Sequence, residues 1–267
     1  MPHIKINDIS MYYEQYGQGE PIVLIGGFTA DHTVWGAVVP LFKEKYQVIV
    51  LDNRGAGQTD IPDGPYSIEQ MANDVAALCS GLGIEKAHFV GSSMGGYIAQ
   101  SLSVHHPELV KSITISNSVA VMHTTFRLYV EAQLEMRKAK VPVETLIKAA
   151  CSWCFSYQFL AQPGMIDLLI QMGLRIPYPF TDKGYEAQFA ALQQFDSGSW
   201  LKDIAVPTLV LAGDQDLIFQ EPLVKDLANK IQGARYYCFS ECGHLPQIEY
   251  PELFVSVVHE FIERINR

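Results

Sequence analysis

The sequence predicts an α/β protein in which a mostly parallel, doubly wound sheet carries a helical insertion. Six short runs predict the strands, because they are nearly continuous in apolar or β-branched residues, as strands buried on both faces are. The runs cover residues 22–25, 48–51, 88–90, 112–115, 208–211 and 236–239. Amphipathic stretches of helical period separate most of them. This alternation of strand and helix indicates parallel strands joined by right-handed crossovers.

The elements at the two ends of the chain have their own signals. The first sixteen residues alternate in polarity and turn at Asn7-Asp8, which predicts an antiparallel hairpin at the sheet edge. A helix is predicted over residues 67–82, with Ser67 as its N-cap and Gly83 at its end. The last helix, predicted over residues 251–265, has an apolar face made of Leu253, Phe254, Val257, Val258, Phe261, Ile262 and Ile265.

The interval between the fourth and fifth strand runs is much longer than the others. A βα unit needs only about thirty residues, so most of this interval is an insertion. We predict that residues 119–201 form a helical cap, and that residues 1–118 and 202–267 form the core.

The composition of this insertion predicts where it lies. It contains twelve aromatic residues, and its segment 149–180 has only two charged residues, Asp167 and Arg175. A thin helical layer cannot bury that much apolar surface within itself. We therefore expect the cap to cover the sheet edge and to roof an apolar binding site.

The most specific motif is a Gly-x-Ser-x-Gly sequence at residues 91–95. It lies between the predicted strand 88–90 and a helix predicted over residues 97–104, which is the context of a nucleophile elbow. The glycines permit a sharp, strained turn that exposes the serine at the carboxyl end of the sheet. Ser93, and not Ser92, stands at the centre of the motif, so Ser93 is the candidate nucleophile.

A serine nucleophile needs a base, and the base needs an orienting acid. In this kind of fold they follow in the order Ser, Asp, His. His244 lies in a Gly-His loop between the last strand and the last helix, and it is the candidate base. Asp214 and Asp216 both follow the strand run 208–211. Asp216 is favoured because it lies further out on the loop, and Asp214 is expected to brace the turn. The competing loop, residues 116–118, has no carboxylate.

Two backbone amides are the candidates for an oxyanion hole. The Met94 N–H follows the nucleophile at a helix N-terminus. The Phe28 N–H lies in a glycine-rich loop after the first long strand, where the backbone can approach a substrate closely.

These motifs together resemble the α/β-hydrolase superfamily, in the branch of small soluble carboxylesterases and lactonases, over essentially the whole chain. The segments that carry the resemblance are Gly26-Gly27-Phe28, residues 52–57, the Ser93 elbow, residues 206–216, and Gly243-His244 followed by Pro251-Glu252. The resemblance implies the α/β-hydrolase fold. It also implies a nucleophile, acid and base at Ser93, Asp216 and His244, with oxyanion donors at Phe28 and Met94.

Finer features of the resemblance point to particular branches. Residues 64–89 look most like 3-oxoadipate enol-lactonases, and the overall layout also resembles pimeloyl-carrier-protein methyl ester esterases. Gly26 stands where most members carry histidine, which weakens the transfer of any particular substrate. Ser93 speaks against the haloalkane dehalogenase and epoxide hydrolase branches, in which the nucleophile is aspartate.

The sequence therefore predicts a serine hydrolase that cleaves a small or medium apolar carboxylic ester, or a lactone or thioester. The cap residues predicted to bind the substrate are Trp153, Phe155, Phe159, Phe126 and Phe180. One alternative keeps the same residues but cleaves a C–C bond in a dicarbonyl-like substrate. The other is a non-enzymatic small-molecule receptor on a hydrolase scaffold.

Composition excludes several other classes of function. The formal net charge of −10 argues against nucleic acid as a partner. The apolar runs are too short to cross a membrane, and the first ten residues lack a signal-peptide pattern. The five cysteines have no disulfide-framework spacing, so we expect a soluble protein of a reducing compartment, the cytoplasm.

Two further patterns have an ordinary and a sharper interpretation. Cys151 and Cys154 have C-x-x-C spacing inside an apolar segment, which predicts packing, and neither a metal site nor a cofactor is expected. Residues 120–150 carry five basic and three acidic side chains. A solvated helix end is the ordinary interpretation of this segment, and docking of an acidic carrier protein is the alternative.

Overall fold

One eight-stranded sheet organises the part of the chain that the structure, a computed structural model, describes: residues 2–267. Its strands are β1 (His3–Ile6), β2 (Ile9–Tyr16), β3 (Glu20–Ile25), β4 (Tyr46–Leu51), β5 (Ala87–Ser92), β6 (Val110–Ser116), β7 (Thr208–Gly213) and β8 (Arg235–Phe239). Their order is β1-β2-β4-β3-β5-β6-β7-β8. The strands β3 to β8 run parallel to one another. At one edge β1 and β2 form an antiparallel hairpin, and β2 pairs with β4 in the antiparallel direction.

Helices join the strands and cover the sheet. They are α1 (Val39–Phe42), α2 (Ile68–Gly81), α3 (Met94–His105), α4 (Thr124–Lys138), α5 (Val143–Cys154), α6 (Tyr157–Leu160), α7 (Met165–Leu174), α8 (Asp182–Gln194), α9 (Glu221–Lys230), α10 (Pro246–Glu249) and α11 (Pro251–Ile265). The predicted fold class is confirmed. The helix predicted over residues 97–104 begins earlier, at Met94, because the chain enters the helix directly after Ser93.

The continuous apolar runs follow from burial on both faces of the sheet. In β3, Val23 and Ile25 pack into one hydrophobic cluster, while Ile22 and Leu24 pack into a second. Successive side chains of a strand point to opposite faces, so neither face can be polar when both are covered.

The two helices predicted in detail are present, with one correction. The Ser67 hydroxyl accepts a hydrogen bond from the Gln70 amide at 3.0 Å and caps α2. Leu253, predicted on the buried face of α11, is instead 43% exposed. The buried face of α11 is narrower than the apolar pattern predicts and consists of Phe254, Val258, Phe261 and Ile262.

The insertion between β6 and β7 consists of the helices α4 to α8. Gln188 of α8 fastens it to the loops at the carboxyl ends of β3 and β4. Its Nε2 donates to the Arg54 carbonyl, and its Oε1 accepts from the Thr29 amide, each at 2.9 Å. The division into a core and a cap over residues 119–201 stays a prediction.

The described residues, 2–267, show neither a membrane-spanning helix nor a cluster of metal-ligating side chains. No helix in this range is long and apolar enough to cross a membrane. No group of three or more His, Cys, Asp or Glu side chains within the same range is arranged to hold a metal ion.

Candidate active site

The chain turns sharply at Ser93, between β5 and α3. Ser93 has φ +56° and ψ −118°, a backbone conformation that costs about 1–3 kcal/mol. Its amide donates to the Ser116 carbonyl at the end of β6, at 2.9 Å. A Cβ atom on Gly95 would lie 2.1 Å from the Ile25 carbonyl oxygen, so only glycine allows α3 to begin so close to β3. The turn leaves Ser93 only 7% exposed.

Asp216, in the loop after β7, and His244, in the loop after β8, form a buried pair. His244 Nδ1 lies 2.8 Å from Asp216 Oδ2, and the two residues are 4% and 3% exposed. The other carboxylate oxygen of Asp216 accepts from the amides of Ile218 and Phe219, at 2.8 and 3.0 Å. These donors stabilise the ionised carboxylate and fix its orientation toward the imidazole.

Asp214 has a different environment, although it lies only two residues away. One of its oxygens accepts from the Cys242 amide at 3.1 Å, and the other lies 3.4 Å from the Ser240 hydroxyl. Of the two candidate acids, Asp216, which the sequence favoured, is the one that contacts His244. Asp214 instead bonds Ser240 and Cys242, in the loop that leads to His244.

Ser93 lies near this pair at the carboxyl ends of the strands, because β5, β6, β7 and β8 are adjacent and parallel. A hydrogen bond connects the Ser93 turn with α10, which follows His244. In it, Gln247 Nε2 donates to the Ser92 hydroxyl at 3.3 Å. No hydrogen bond joins the Ser93 hydroxyl to His244 among residues 2–267. Such contacts are often long in free enzymes and shorten when substrate binds.

Asn117 is a member of the site that the sequence did not reveal. It follows β6, is fully buried and has φ +47°. Its Nδ2 donates to Asp216 Oδ2 at 2.9 Å and to the Gly243 carbonyl at 3.2 Å. Its sequence signal is its place at the end of a strand, but an asparagine in a loop without a carboxylate does not indicate a contact with the acid of a neighbouring loop.

The two predicted oxyanion donors are the amide of Met94, directly after Ser93, and the amide of Phe28, in the loop after β3. Met94 is the first residue of α3, so its amide has no partner within the helix. The loop that carries Phe28 approaches the serine, since a Cβ on Gly27 would lie 3.1 Å from the Ser93 Cβ. Within residues 2–267, neither the Phe28 nor the Met94 amide donates a hydrogen bond.

Of the five predicted substrate-binding residues, Phe155 lies beside the His244 loop, and Phe126 is linked to His244 through one intervening ring. The ring of Phe126 packs 5.0 Å from Phe219, whose ring lies 5.6 Å from His244. Phe155 follows Cys154, whose carbonyl accepts from the His244 amide at 2.7 Å.

The other three have aromatic partners within the cap. Phe159 stacks on Phe155 at 5.0 Å, and Trp153 stacks on Tyr129 at 4.7 Å. Phe180 packs 5.8 Å from Tyr185, which in turn contacts Phe28 at 4.6 Å. These three residues, like Phe126, are linked to the site through the rings of their neighbours.

The cysteines and the basic residues of the insertion are engaged in packing and ion pairs. Burial raises the pKa of Cys154, and the Asp216 charge raises it further, so this thiol stays neutral. Four of the five bases in residues 120–150 pair with acids: Arg127 with Glu131, Arg137 with Asp182, Lys138 with Glu186, and Lys148 with Glu144. This pairing leaves little free positive charge on the surface considered for a carrier protein.

The fold and this strand-end arrangement define a class of protein. Residues 20–251 match the family described as alpha/beta hydrolase fold, and the chain belongs to that family. It is a hydrolase of the alpha/beta hydrolase superfamily, as its sequence motifs predicted.

Particular relatives narrow the comparison. The chain is 29% identical to 3-oxoadipate enol-lactonase 2 of Acinetobacter baylyi, over 97% of this chain and 95% of the relative. The solved structure of the enol-lactonase of Burkholderia xenovorans matches with a TM-score of 0.85 at 25% identity, over 98% of this chain and all of the other. A thermophilic esterase of Thermogutta terrifontis matches with a TM-score of 0.88 at 26% identity, over the full length of both chains.

Proposed function

We propose that this hydrolase cleaves carboxylic esters, or the related lactones and thioesters, through an acyl-enzyme on Ser93. The observation that carries the proposal is the 2.8 Å contact of His244 Nδ1 with Asp216 Oδ2, at the sheet edge where the strained Ser93 also lies. A base oriented by a buried carboxylate is what a serine hydroxyl needs to become a nucleophile.

The proposed reaction uses each residue in turn. The Ser93 oxygen attacks the acyl carbon while its proton passes to His244 Nε2, and Asp216 stabilises the imidazolium that forms. The amides of Phe28 and Met94 donate to the oxyanion. His244 returns the proton to the leaving alcohol, and the same residues then activate water to hydrolyse the acyl-enzyme.

The substrate class follows from the cap and from the relatives. The aromatic side chains of the predicted cap, among them Phe155 beside the His244 loop, favour an uncharged acyl or alcohol group of modest size. The matches to lactonases and to an esterase support an ester-like bond. All five cysteines are free thiols, which supports action in a reducing compartment such as the cytoplasm.

The test is turnover of 4-nitrophenyl esters and simple lactones of graded chain length, with product analysis and the Ser93→Ala variant as control. We expect wild-type protein to release acid and alcohol, and the variant to lose turnover by about 10⁶-fold. Cleavage without release of an alcohol, on a dicarbonyl substrate, would instead favour C–C hydrolysis. Ligand binding without turnover of any ester or lactone would favour a receptor.

A further inference from the structure

The turn between α5 and α6 lies directly against the loop that carries His244. The His244 amide donates to the Cys154 carbonyl, at the end of α5, at 2.7 Å. A Cβ on Gly243 would lie 2.6 Å from that same carbonyl oxygen, so the two backbones are packed as closely as a glycine permits. The predicted base and the insertion are therefore in direct backbone contact.

The side chain of Glu249 connects the same two segments. Its Oε1 accepts from the Gly243 amide at 2.9 Å and from the Ser156 amide at 3.2 Å. Its Oε2 accepts from the Ser156 hydroxyl. Ser156 is only 1% exposed, so these bonds lie away from solvent. One carboxylate thus bonds the residue before His244 and the turn after Cys154.

We propose that Glu249 is a positioning residue, which holds the His244 loop and the α5–α6 turn at a fixed separation. This inference rests on the proposed function, because it assigns Glu249 a task only if His244 is the base. The physical reason is that a base must keep its place to within a fraction of an ångström of the proton that it takes. Gly243 precedes His244 directly, so a bond to its amide restrains the backbone of the base.

The surroundings of Glu249 and its hydrogen-bond donors have opposite effects on its pKa. Burial raises the pKa of Glu249, and the nearby charge of Asp216 also raises it, while the donors from Ser156 and Gly243 act in the opposite direction. A carboxylate in this place is stabilised by its three donors. Glutamine has the same shape and keeps an acceptor for both amides, whereas alanine leaves them without a partner.

The variants Glu249→Ala, Glu249→Gln and Ser156→Ala test this role, with kcat and KM for 4-nitrophenyl butyrate measured separately. We expect Glu249→Ala to lower kcat by about 10- to 100-fold with little change in KM. Glu249→Gln retains kcat to within about threefold, because it preserves the acceptor. Glu260→Gln, an exposed carboxylate on α11, is the matched control and keeps wild-type values.

The double variant Glu249→Ala/Ser156→Ala gives a second, independent reading. The Ser156 hydroxyl is bonded to the His244 loop through Glu249, so the double variant should lose no more kcat than Glu249→Ala alone. The same hydroxyl also accepts from the Phe159 amide at 3.2 Å and caps α6, so the stability of each variant is measured as well. Amide hydrogen exchange at Gly243 and Ser156 should quicken in Glu249→Ala and not in Glu260→Gln.

The outcomes separate the two proposals. Absence of wild-type turnover on every ester and lactone overturns the proposed function, and the positioning role with it. Normal wild-type turnover with unchanged kcat in both Glu249→Ala and Ser156→Ala overturns the positioning role alone. A rise in KM at constant kcat also overturns it, because it assigns Glu249 to substrate binding through the cap. If Glu249→Ala does not fold, Glu249→Asp decides, since its carboxylate is one methylene shorter: a lower kcat at unchanged KM supports the positioning role, and a wild-type kcat overturns it.

Discussion

Asn117 Nδ2 lies 2.9 Å from Asp216 Oδ2, the same carboxylate oxygen that contacts His244 Nδ1. The loop after β6, which has no carboxylate, is therefore bonded to Asp216 in the loop after the neighbouring strand β7. Because Asn117 also donates to the Gly243 carbonyl, it links the loop of the acid to the loop of the proposed base. This connection suggests how the site would respond to an altered charge.

We expect Asn117→Asp to shift the acidic limb of the kcat/KM profile to higher pH. The new carboxylate adds a negative charge beside Asp216, and a negative charge near the imidazole favours its protonated, inactive form. Asn117→Ala removes the donor without adding a charge, so it serves as the control and should move the limb less. Coincident pH profiles for Asn117→Asp and wild type would contradict this prediction.

The nucleophile can be identified by covalent labelling. A serine-directed phosphonate should label Ser93 stoichiometrically, since only an activated serine reacts quickly. Mass spectrometry of the digested protein locates the label. The Ser92→Ala variant should be labelled like wild type, because the Ser92 hydroxyl is bonded to Gln247 instead. A label on Ser92, or none on folded protein, would rule out Ser93 as the nucleophile.

The two aspartates of the acid loop should differ greatly in effect. Asp216→Asn should lower kcat/KM by about 10⁴-fold, because an amide in place of the carboxylate favours the wrong imidazole tautomer. Asp214→Asn is the matched control, and its effect should be far smaller, since Asp214 only accepts from the Cys242 amide and the nearby Ser240. Losses of equal size in both variants would mean that the loop, rather than the carboxylate, carries the effect.

Stability should depend on a buried ion pair outside the proposed catalytic residues. Arg54 Nε and Nη2 donate to the two oxygens of Asp74 at 2.6 and 2.9 Å, and both side chains are buried. Asp74→Asn should lower the free energy of unfolding by up to about 3–5 kcal/mol, because it removes the buried partner of Arg54 and leaves that charge with the exposed Asp8, 2.9 Å from Arg54 Nη2.

Urea unfolding followed by circular dichroism measures this difference. The control is Glu144→Gln in the exposed pair with Lys148, which should change the free energy of unfolding by less than about 0.5 kcal/mol. The double replacement Arg54→Met/Asp74→Leu should recover much of the loss. A single Asp74→Asn variant as stable as wild type would contradict the prediction.

The cap aromatics should determine chain-length preference. Phe155→Ala should change the ratio of kcat/KM between short and long 4-nitrophenyl esters, because Phe155 follows the Cys154 carbonyl that contacts His244. Trp153→Ala should do so less directly, through its stacking on Tyr129. Tyr157→Ala is the control, since this side chain is largely exposed. Unchanged ratios of kcat/KM in both Phe155→Ala and Trp153→Ala would mean that these side chains do not determine chain-length preference.

Much of the fold could be predicted because its signals are local. The alternate side chains of β3 enter two different clusters, so the strand is apolar throughout, and a run of a few residues suffices to recognise it. The Ser93 motif spans five residues between a strand and a helix, which is also a local pattern. Leu253 shows the limit, because the width of a buried helix face depends on what packs against it.

The amino-acid sequence alone was enough to predict the order of strands and helices and to single out Ser93 and His244. The sequence favoured Asp216 over Asp214 by its position on the loop, but the contact with His244 depends on how the folded loop directs two identical side chains. The contacts of Asn117 with Asp216 and of Ser156 with Glu249 join residues 99 and 93 positions apart in the chain. They depend on β6 lying beside β7 and on the insertion folding back over the strand ends, and tertiary packing, rather than any local pattern, determines both.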